Sequence, residues 1–387
     1  MRVVFYCQHV LGVGHVFRSL EIARCLAPHE VVLVTGGGGV EFDPPANVVR
    51  EQLPGLMMSP DFKAFIPLEP GARDVDEVLA RRLERFEAIM DRWRPDVFLV
   101  ELYPFGRRKF RFELLPILRG VREGRWGRCK SVCSVRDILV EKDDPVKYAG
   151  RVNPVLNEWF DAVLCHADPA VVRLEETYPG AAGVRIPVRY TGYVARGPEP
   201  GAGAALAREL GLAPGERLVV ASAGGGGVGG ELIAGALAAS PLVRDRYPHR
   251  LAAFAGPYCP DDEFSRLAEL AGDDPWIRLR RFTSRFPAYL DAAALSLSLA
   301  GYNTTMNLLA AHTYGLVLPF AQNREQRMRA ERMERRGALG VLDPADLASE
   351  RLARRMAEAL ERPVADHGVD LDGGRNSARA LEALAAG

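Results

Sequence analysis

Several features that would place a protein in a broad functional class are missing from this sequence of 387 residues. Its 50 basic and 50 acidic residues cancel, so no overall field attracts nucleic acid or a membrane surface. No apolar run approaches the roughly 20 residues that span a bilayer. The first apolar run, residues 2–7, is also shorter than the apolar segment of a signal peptide. We therefore expect a protein that is neither exported nor integral to a membrane.

Cysteine and lysine are both scarce. The six cysteines form no series of spaced pairs, and Cys129 and Cys133 lack partners at zinc-site spacing. We interpret all six as reduced thiols, which indicates a cytoplasmic protein. No lysine follows Lys147. A GC-rich coding sequence explains that bias more simply than selection for phosphate binding does.

Short apolar runs alternate with helical stretches along most of the chain. Continuous apolar runs are typical of strands buried on both faces, which favours parallel sheets. Residues 195–204 are rich in Gly and Pro and predict a linker, after which the alternation restarts. We predict an α/β protein with two Rossmann-like doubly wound domains that face each other across a cleft. The expected boundaries are 1–195, 196–365 and a C-terminal helix within 366–387 that packs back on the first domain.

The first candidate site follows the first strand. Gly12 and Gly14 allow a sharp turn and close approach to an anion, and the next helix begins with free N–H groups. His15 and Arg18 replace the last glycine of a dinucleotide fingerprint, so this loop differs from that motif. Two interpretations of His15 stay open. It is either a structural residue at the helix start, or a base or phosphate ligand.

The second candidate site is a glycine run between another strand and helix. Gly224, Gly225, Gly226 and Gly227 expose backbone N–H groups that suit a diphosphate. The run lacks the Gly-Lys-Ser/Thr ending of a P-loop, which disfavours ATP hydrolysis. The alternative is a flexible loop without a ligand.

Residues 299–328 form the most specific segment. One strand ends at Gly301, and small polar residues then open a helix where an anion would be well placed. A second strand ends near Phe320 and leads into a polar loop. Amides and a carboxylate at strand ends suit a sugar, whereas the alternative is an ordinary helix cap followed by a solvated loop. The polar residues concerned are Asn303, Thr304, Thr305, Gln322, Glu325 and Gln326.

The order of these segments resembles the donor-binding half of GT-B glycosyltransferases. The chain is similar to the bacterial N-acetylglucosaminyltransferase that makes the second lipid intermediate of peptidoglycan, and to a subgroup of predicted transferases related to it. Segments 104–108, 136–139 and 191–194, together with Gly14, His15 and Arg18, extend the resemblance over nearly the whole chain.

The resemblance implies a role for each candidate residue. Gly224 to Gly227, Thr304 and Thr305 would hold the diphosphate. Phe282 and Thr283 would lie beside the base, Glu325 and Gln326 would contact sugar hydroxyls, and His15 would face the reacting centre. Asn307 departs from the family, which usually has a Glu that binds the ribose, so the nucleotide preference stays open.

Other charged residues allow more than one role. Glu101 ends a buried strand and should face the cleft, where it would orient the acceptor or His15, or satisfy loop amides. Arg136 and Asp137 either pair with each other or bind the acceptor. A basic run over 107–130 is either a solvated face or a contact with anionic lipid or an anionic acceptor.

Metal is not expected. The two Asp-x-Asp pairs, at residues 74–76 and 370–372, fall at a helix start and in a late loop, so we interpret them as surface charge. Helix dipoles and backbone amides would neutralise the leaving diphosphate instead.

We therefore predict an enzyme without a cofactor that moves a sugar, first an N-acetylhexosamine, from a UDP-sugar to an acceptor hydroxyl by an inverting mechanism. The acceptor stays open among small molecules, glycans and lipid-linked molecules, and peripheral contact with the inner membrane face is a further possibility. The alternatives are a nucleotide-sugar 2-epimerase or hydrolase of the same fold, and a non-catalytic nucleotide-sugar-binding subunit.

Overall fold

The chain forms two units in the computed structural model, which describes residues 1–8, 14–38, 43–59, 64–68, 74–225, 227–362 and 366–387. The first unit consists of Met1–Val194 together with Val369–Gly387, and the second of Ala195–Gly368. The linker boundary therefore lies one residue before the expected position. The chain returns to the first unit at Val369 rather than at residue 366.

The first unit is built on a parallel sheet of the order β3-β2-β1-β6-β7-β8-β9. Its elements are β1 (Arg2–Tyr6), α1 (Gly14–Cys25), β2 (Glu30–Thr35), β3 (Val48–Gln52), β4 (Leu56–Met58), β5 (Phe65–Pro67), α2 (Val75–Trp93), β6 (Val97–Glu101), α3 (Arg111–Arg122), β7 (Lys130–Arg136), α4 (Pro145–Trp159), β8 (Ala162–His166) and β9 (Val188–Tyr190). Strands β4 and β5 form a separate antiparallel hairpin. Strands β3, β4, β5 and β9 are not predicted from the sequence, because they are short or alternate buried with exposed residues.

The second unit repeats this plan with a parallel sheet of the order β12-β11-β10-β13-β14-β15. Its elements are α5 (Ala202–Glu209), β10 (Arg217–Ser222), α6 (Gly230–Arg244), β11 (His249–Phe254), α7 (Asp261–Ala271), β12 (Ile277–Arg280), α8 (Phe286–Ala292), β13 (Leu295–Leu299), α9 (Tyr302–Ala310), β14 (Gly315–Leu318), α10 (Arg324–Glu334), β15 (Leu339–Val341) and α11 (Ser349–Glu361). The predicted α/β class with Rossmann-like sheets is confirmed.

Each sheet has one point where the strand order reverses direction. That point lies between β1 and β6 in the first unit and between β10 and β13 in the second. Open parallel sheets bind ligands at such switch points, beyond the carboxyl ends of the strands. The candidate residues after β1, β6, β10 and β13 therefore occupy the positions at which this fold binds its ligands.

Helix α12 (Gly373–Ala386) packs on the first unit, although it follows the second unit in sequence. Its Ala378 and Leu381 join a buried cluster with Val16 and Leu20 of α1. A side chain at Gly374 would lie 2.7 Å from the Cys25 sulfur, so the glycine permits the close approach of the two helices. Among the described helices, none is both long and apolar enough to cross a bilayer.

A buried ion pair also holds the first unit together. Arg82 of α2 donates from Nε and Nη2 to the two carboxylate oxygens of Glu113 on α3, at 2.8 and 2.7 Å. The hydroxyl of Tyr6 donates to the same carboxylate at 2.5 Å, and Arg82 also donates to the carbonyl oxygens of Gly36 and Pro54. Because all three side chains are fully buried, removing one partner would leave an uncompensated charge in the core.

Candidate active site

His15 and Glu101 form a hydrogen-bonded pair at the switch point of the first sheet. His15 lies in the first turn of α1, and Glu101 is the last residue of β6. His15 Nδ1 lies 2.8 Å from Glu101 Oε1, and Arg18 Nη2 donates to the same oxygen. Nδ1 and the Arg18 nitrogen are 3.2 Å apart because both donors converge on one acceptor.

The pair has a defined charge state. Burial raises the pKa of Glu101, but the charges and hydrogen bonds of His15 and Arg18 outweigh it, so the pKa lies far below its ordinary value. Glu101 raises the pKa of His15, yet burial and the positive charges of Arg18 and Arg107 bring it below its ordinary value. Glu101 is therefore a carboxylate and His15 is neutral near pH 7. The hydrogen bond to Glu101 requires the proton on Nδ1, which leaves a lone pair on Nε2.

This geometry corrects the expected placement of Glu101. The sequence analysis expects its side chain to face a cleft, whereas the side chain is fully buried beneath His15 and Arg18. The His15 side chain is 18% exposed, so it is the member of the pair that a substrate can reach. Of the roles left open for Glu101, the contacts support the orientation of His15.

A row of buried polar side chains continues from Glu101 across the carboxyl edge of the sheet. Ser134 of β7 is the register neighbour of Glu101, and its Oγ lies 2.8 Å from His166 Nε2. His166 Nδ1 lies 2.9 Å from the Thr191 hydroxyl. Burial and the charge of Arg18 lower the pKa of His166 to about 3, so this imidazole is neutral. These residues were not among the predicted site residues, although Ser134 and His166 each lie near the carboxyl end of an apolar strand.

The glycine run of the second unit is an exposed turn between β10 and α6. Gly224 and Gly229 have φ angles of +64° and +99°, which favour glycine. The backbone N–H of Gly224 donates to Ser222 Oγ, and Gly225 and Gly227 are exposed. Gly226 lies outside the described residues. The occupancy of this turn by a diphosphate stays a prediction.

Exposed apolar side chains surround the carboxyl edge of the second sheet. Tyr258 follows β11, Phe282 follows β12 and Phe320 follows β14, with exposures of 68%, 63% and 39%. Val228, in the glycine turn, is 51% exposed. Large apolar groups at one sheet edge can provide a surface for a planar base. Only Phe282 was predicted for that role, beside Thr283, whose hydroxyl instead accepts from the N–H of Arg285.

The comparisons with known proteins agree with this arrangement. Residues 225–366 match the glycosyltransferase family 28 C-terminal domain. This match lies within the second unit, Ala195–Gly368. The match supports the predicted class, a nucleotide-sugar-dependent glycosyltransferase. No curated protein matches the chain in sequence.

Solved structures of glycosyltransferases share the fold. A UDP-glucosyltransferase from Polygonum tinctorium capable of glucosylating indoxyl has a TM-score of 0.62 and 15% identity, and the alignment covers 100% of this chain and 98% of that chain. The calicheamicin glycosyltransferase CalG4 has a TM-score of 0.61 and 15% identity, with coverage of 100% and 98%. MurG of Acinetobacter baumannii has a TM-score of 0.56 and 14% identity, with coverage of 100% and 98%.

Within the family 28 domain, helix α9 places its predicted donor residues unequally. Gly301 precedes the helix, and Asn303, Thr304 and Asn307 are partly exposed. Thr305 is different, because its side chain is fully buried and its hydroxyl has no hydrogen-bond partner in the described part of the chain. We therefore correct the predicted contact between the Thr305 side chain and the diphosphate, since that side chain points into the domain.

The predicted donor residues at the loop between β14 and α10 also include both accessible and buried side chains. Gln322 is exposed, whereas Glu325 is buried on the first turn of α10. Gln326 Oε1 accepts a hydrogen bond from the N–H of Phe320 at 3.1 Å, so its oxygen holds the loop and its NH₂ group can reach a ligand. Gln322 and Gln326 are therefore more accessible for the predicted sugar contact than the buried carboxylate of Glu325 is.

The remaining predicted residues lie on the first unit. Gly14 begins α1, Arg18 pairs with Glu101, and Arg136 ends β7, while Gly12 lies outside the described residues. In the basic run, Arg125 pairs with Glu87 and Asp91, and both Arg122 and Lys130 lie near Asp161. These acidic partners reduce the field that an anionic membrane would meet, and the membrane contact stays a prediction.

The two Asp-x-Asp segments have structural roles. Asp74 caps α2 by accepting from the N–H of Asp76, and Asp370 accepts from the N–H of Asp372. In the described residues, no group of three or more His, Cys, Asp or Glu is arranged to hold a metal ion. Metal independence stays a prediction.

Proposed function

We propose that His15 is the general base of an inverting sugar transfer from a UDP-sugar. The observation that carries this proposal is the pair of a charged, fully buried Glu101 and a neutral His15 with Nε2 free to accept a proton. A neutral imidazole fixed through Nδ1 has the tautomer that general-base catalysis needs. Glu101 then stabilises the imidazolium that forms.

In the proposed reaction, the acceptor oxygen attacks the anomeric carbon as its proton moves to His15 Nε2. The bond between the anomeric carbon and the diphosphate oxygen breaks, and the electron pair leaves with UDP. A single displacement of this kind inverts the anomeric configuration. Backbone N–H groups of the turn at residues 224–230 and at the start of α9 would stabilise the diphosphate. Its charge can be balanced there without a metal ion.

We take UDP-N-acetylhexosamine as the first donor to examine, on the basis of the sequence resemblance. The exposed Phe282 and Tyr258 are suited to a pyrimidine base, and Gln322 and Gln326 to sugar hydroxyls. An epimerase would need a further acid–base carboxylate, whereas Glu101 is fully buried and held by two donors. A non-catalytic subunit would not require the His15–Glu101 pair.

Substitution of His15 tests the proposal. We expect His15→Ala and His15→Gln each to lower transfer by roughly a hundredfold to ten-thousandfold, because neither side chain can accept a proton at neutral pH. Transfer is measured by mass spectrometry, with purified enzyme, UDP-sugars and a cell extract as the acceptor source. UDP-sugar affinity, measured by calorimetry, should stay within about twofold of wild type.

The two variants separate base chemistry from positioning. Gln keeps a polar group that can hold an oxygen, so wild-type turnover of His15→Gln would show that His15 only positions the acceptor. Thermal unfolding of both variants provides the folding control. Release of free sugar from the UDP-sugar, without any glycosylated product, would instead favour a hydrolase.

Metal independence is tested separately. We expect EDTA to leave transfer unchanged, because backbone amides and helix N-termini balance the diphosphate charge. Activity is compared in EDTA alone and after excess magnesium or manganese is added. Loss in EDTA followed by rescue with either ion would contradict a metal-free mechanism.

A further inference from the structure

Arg107 occupies an unusual position next to the His15–Glu101 pair. It precedes the 3₁₀ turn Arg108–Phe110, and its backbone has φ +56° and ψ +24°. A residue other than glycine is uncommon in this left-handed region, and such conformations cluster at functional sites. The turn after β6 is closed by a hydrogen bond from the N–H of Gly106 to the carbonyl oxygen of Leu102 at 2.8 Å, which keeps Arg107 near the end of the strand that carries Glu101. In agreement with this position, the Arg107 charge lowers the pKa of both His15 and Glu101.

Three of the arginines that are buried or partly buried in this region differ in their partners. Arg18 is paired with Glu101, and Arg82 is paired with Glu113. Arg107 makes no side-chain hydrogen bond or ion pair with any residue that the structure describes, and its Nε is buried without a partner. A buried donor without a partner costs roughly 1–3 kcal/mol, and this cost disappears when a ligand accepts the hydrogen bond.

The charges at the site do not balance. The carboxylate of Glu101 is offset by Arg18, and His15 is neutral. Arg107 makes no ion pair with any described residue, so its positive charge is available to an anion near the proposed base. A guanidinium also presents parallel N–H donors that match the oxygens of a phosphate or a carboxylate. The neighbouring Arg108 and Lys109 are exposed to solvent and do not share this environment.

We propose that Arg107 binds an anionic group of the acceptor, a phosphate or a carboxylate, beside His15. This inference rests on the proposed role of His15 as the base, because the acceptor must lie next to that residue. The same chemistry could come from the diphosphate of the donor. The acceptor is favoured because the glycine turn and the family 28 domain, which provide the donor features, belong to the second unit.

The assignment can be tested without turnover by following pyrophosphate binding through the NMR signal of His15. His15 is followed by NMR in protein labelled with ¹³C-histidine, during titration with inorganic pyrophosphate. We expect pyrophosphate to raise the pKa of His15 in the wild type, because a nearby anion favours the imidazolium. In Arg107→Ala, pyrophosphate affinity read at His15 should fall roughly tenfold to a hundredfold, as expected for the loss of a charged hydrogen bond.

The control is Arg108→Ala, which removes the same charge from an exposed neighbour and should behave as the wild type. Arg107→Gln keeps most of the side-chain stem, so it answers the question if Arg107→Ala is poorly folded. A wild-type response of His15 to pyrophosphate in both Arg107 variants would overturn the proposal.

A separate titration with UDP distinguishes the two sources of the anion. We expect UDP affinity in Arg107→Ala to remain within about twofold of wild type. A parallel loss of UDP affinity would show that Arg107 binds the donor diphosphate, and would overturn the assignment to the acceptor. Because neither titration needs transfer, failure here is distinct from failure of the His15 variants in the transfer assay.

Discussion

The carboxyl edges of the two sheets present different kinds of surface. In the first unit the edge carries two sets of hydrogen-bonded polar side chains on adjacent strands, one of His15, Glu101 and Arg18 and one of Ser134 and His166. In the second unit the edge is an exposed glycine turn with solvent-facing aromatic side chains. The first edge has a fixed charge state and tautomer, whereas the second offers backbone N–H groups and apolar surface.

The difference matches the two tasks of a transferase. A base must be oriented before the reaction, because proton transfer depends strongly on geometry, and a network of buried partners provides that orientation. A nucleotide brings its own charges and a planar base, so it needs donors and a surface. Substitutions at the first edge should therefore change rate, and substitutions at the second should change affinity.

The largest expected effect is that of Glu101→Gln. The amide cannot serve as the charged acceptor of the His15 Nδ1 proton, so both the tautomer and the imidazolium lose support. We expect turnover to fall roughly a hundredfold to ten-thousandfold, with donor affinity unchanged. The transfer assay and calorimetry with UDP measure the two quantities. If only the affinity for UDP fell, the proposed difference between the two sheet edges would be wrong.

Glu101→Gln should also shift the pH dependence of turnover in a defined direction. His15 must be neutral to act as a base, so turnover falls as the pH drops through the pKa of His15. In the wild type that pKa lies below its ordinary value, although Glu101 raises it. Without the carboxylate the pKa should drop further, and the acidic limb of the rate profile should move to lower pH. NMR titration of His15 provides the direct check, and a shift to higher pH would contradict the assigned geometry.

A comparable free-energy change, in stability rather than in rate, is expected when the support beneath the first edge is broken. Glu113→Gln leaves the buried Arg82 without its carboxylate, so we expect a loss of about 3–5 kcal/mol in the free energy of unfolding of the first unit. Calorimetry measures the loss, and hydrogen exchange shows where protection is lost. Glu123→Gln, at an exposed position after α3, is the matched control. Equal loss of protection in both units would contradict a local role.

The smallest expected effect concerns the second edge. Asn307→Glu introduces the family's carboxylate at a partly exposed position on α9, and we expect UDP binding to strengthen by about 1 kcal/mol. Titration calorimetry measures the gain, and Asn307→Gln controls for the added length without the charge. Unchanged or weaker binding in the Glu variant would indicate that residue 307 does not reach the ribose.

The sequence predicts the parts of this molecule that depend on local pattern. Continuous apolar runs locate β1, β6, β7 and β10, and the loops after them locate His15 and the glycine turn. Parallel sheets bring such loops to one edge, so the candidate residues could be identified without coordinates. The fold and the transferase class follow from the order of these segments.

Burial of individual polar side chains could not be predicted in the same way. Thr305 and Glu325 occupy the expected elements, yet their side chains turn into the second unit. Helical spacing alone does not tell which side of a short helix packs on the sheet. The partners of Arg18 and Arg82 are also residues distant in sequence. That Arg107 has no such partner among the described residues therefore became visible only in three dimensions.

The position of α12 has a consequence for synthesis of the chain. Residues of the second unit, Ala195–Gly368, leave the ribosome as one continuous segment and can begin to fold at once. The first unit has to wait, because Ala378 and Leu381, which complete its buried cluster, are translated only after that whole segment. Until then α1, which carries His15, lacks the helix that covers it. The second unit can thus fold before the unit that holds the proposed base.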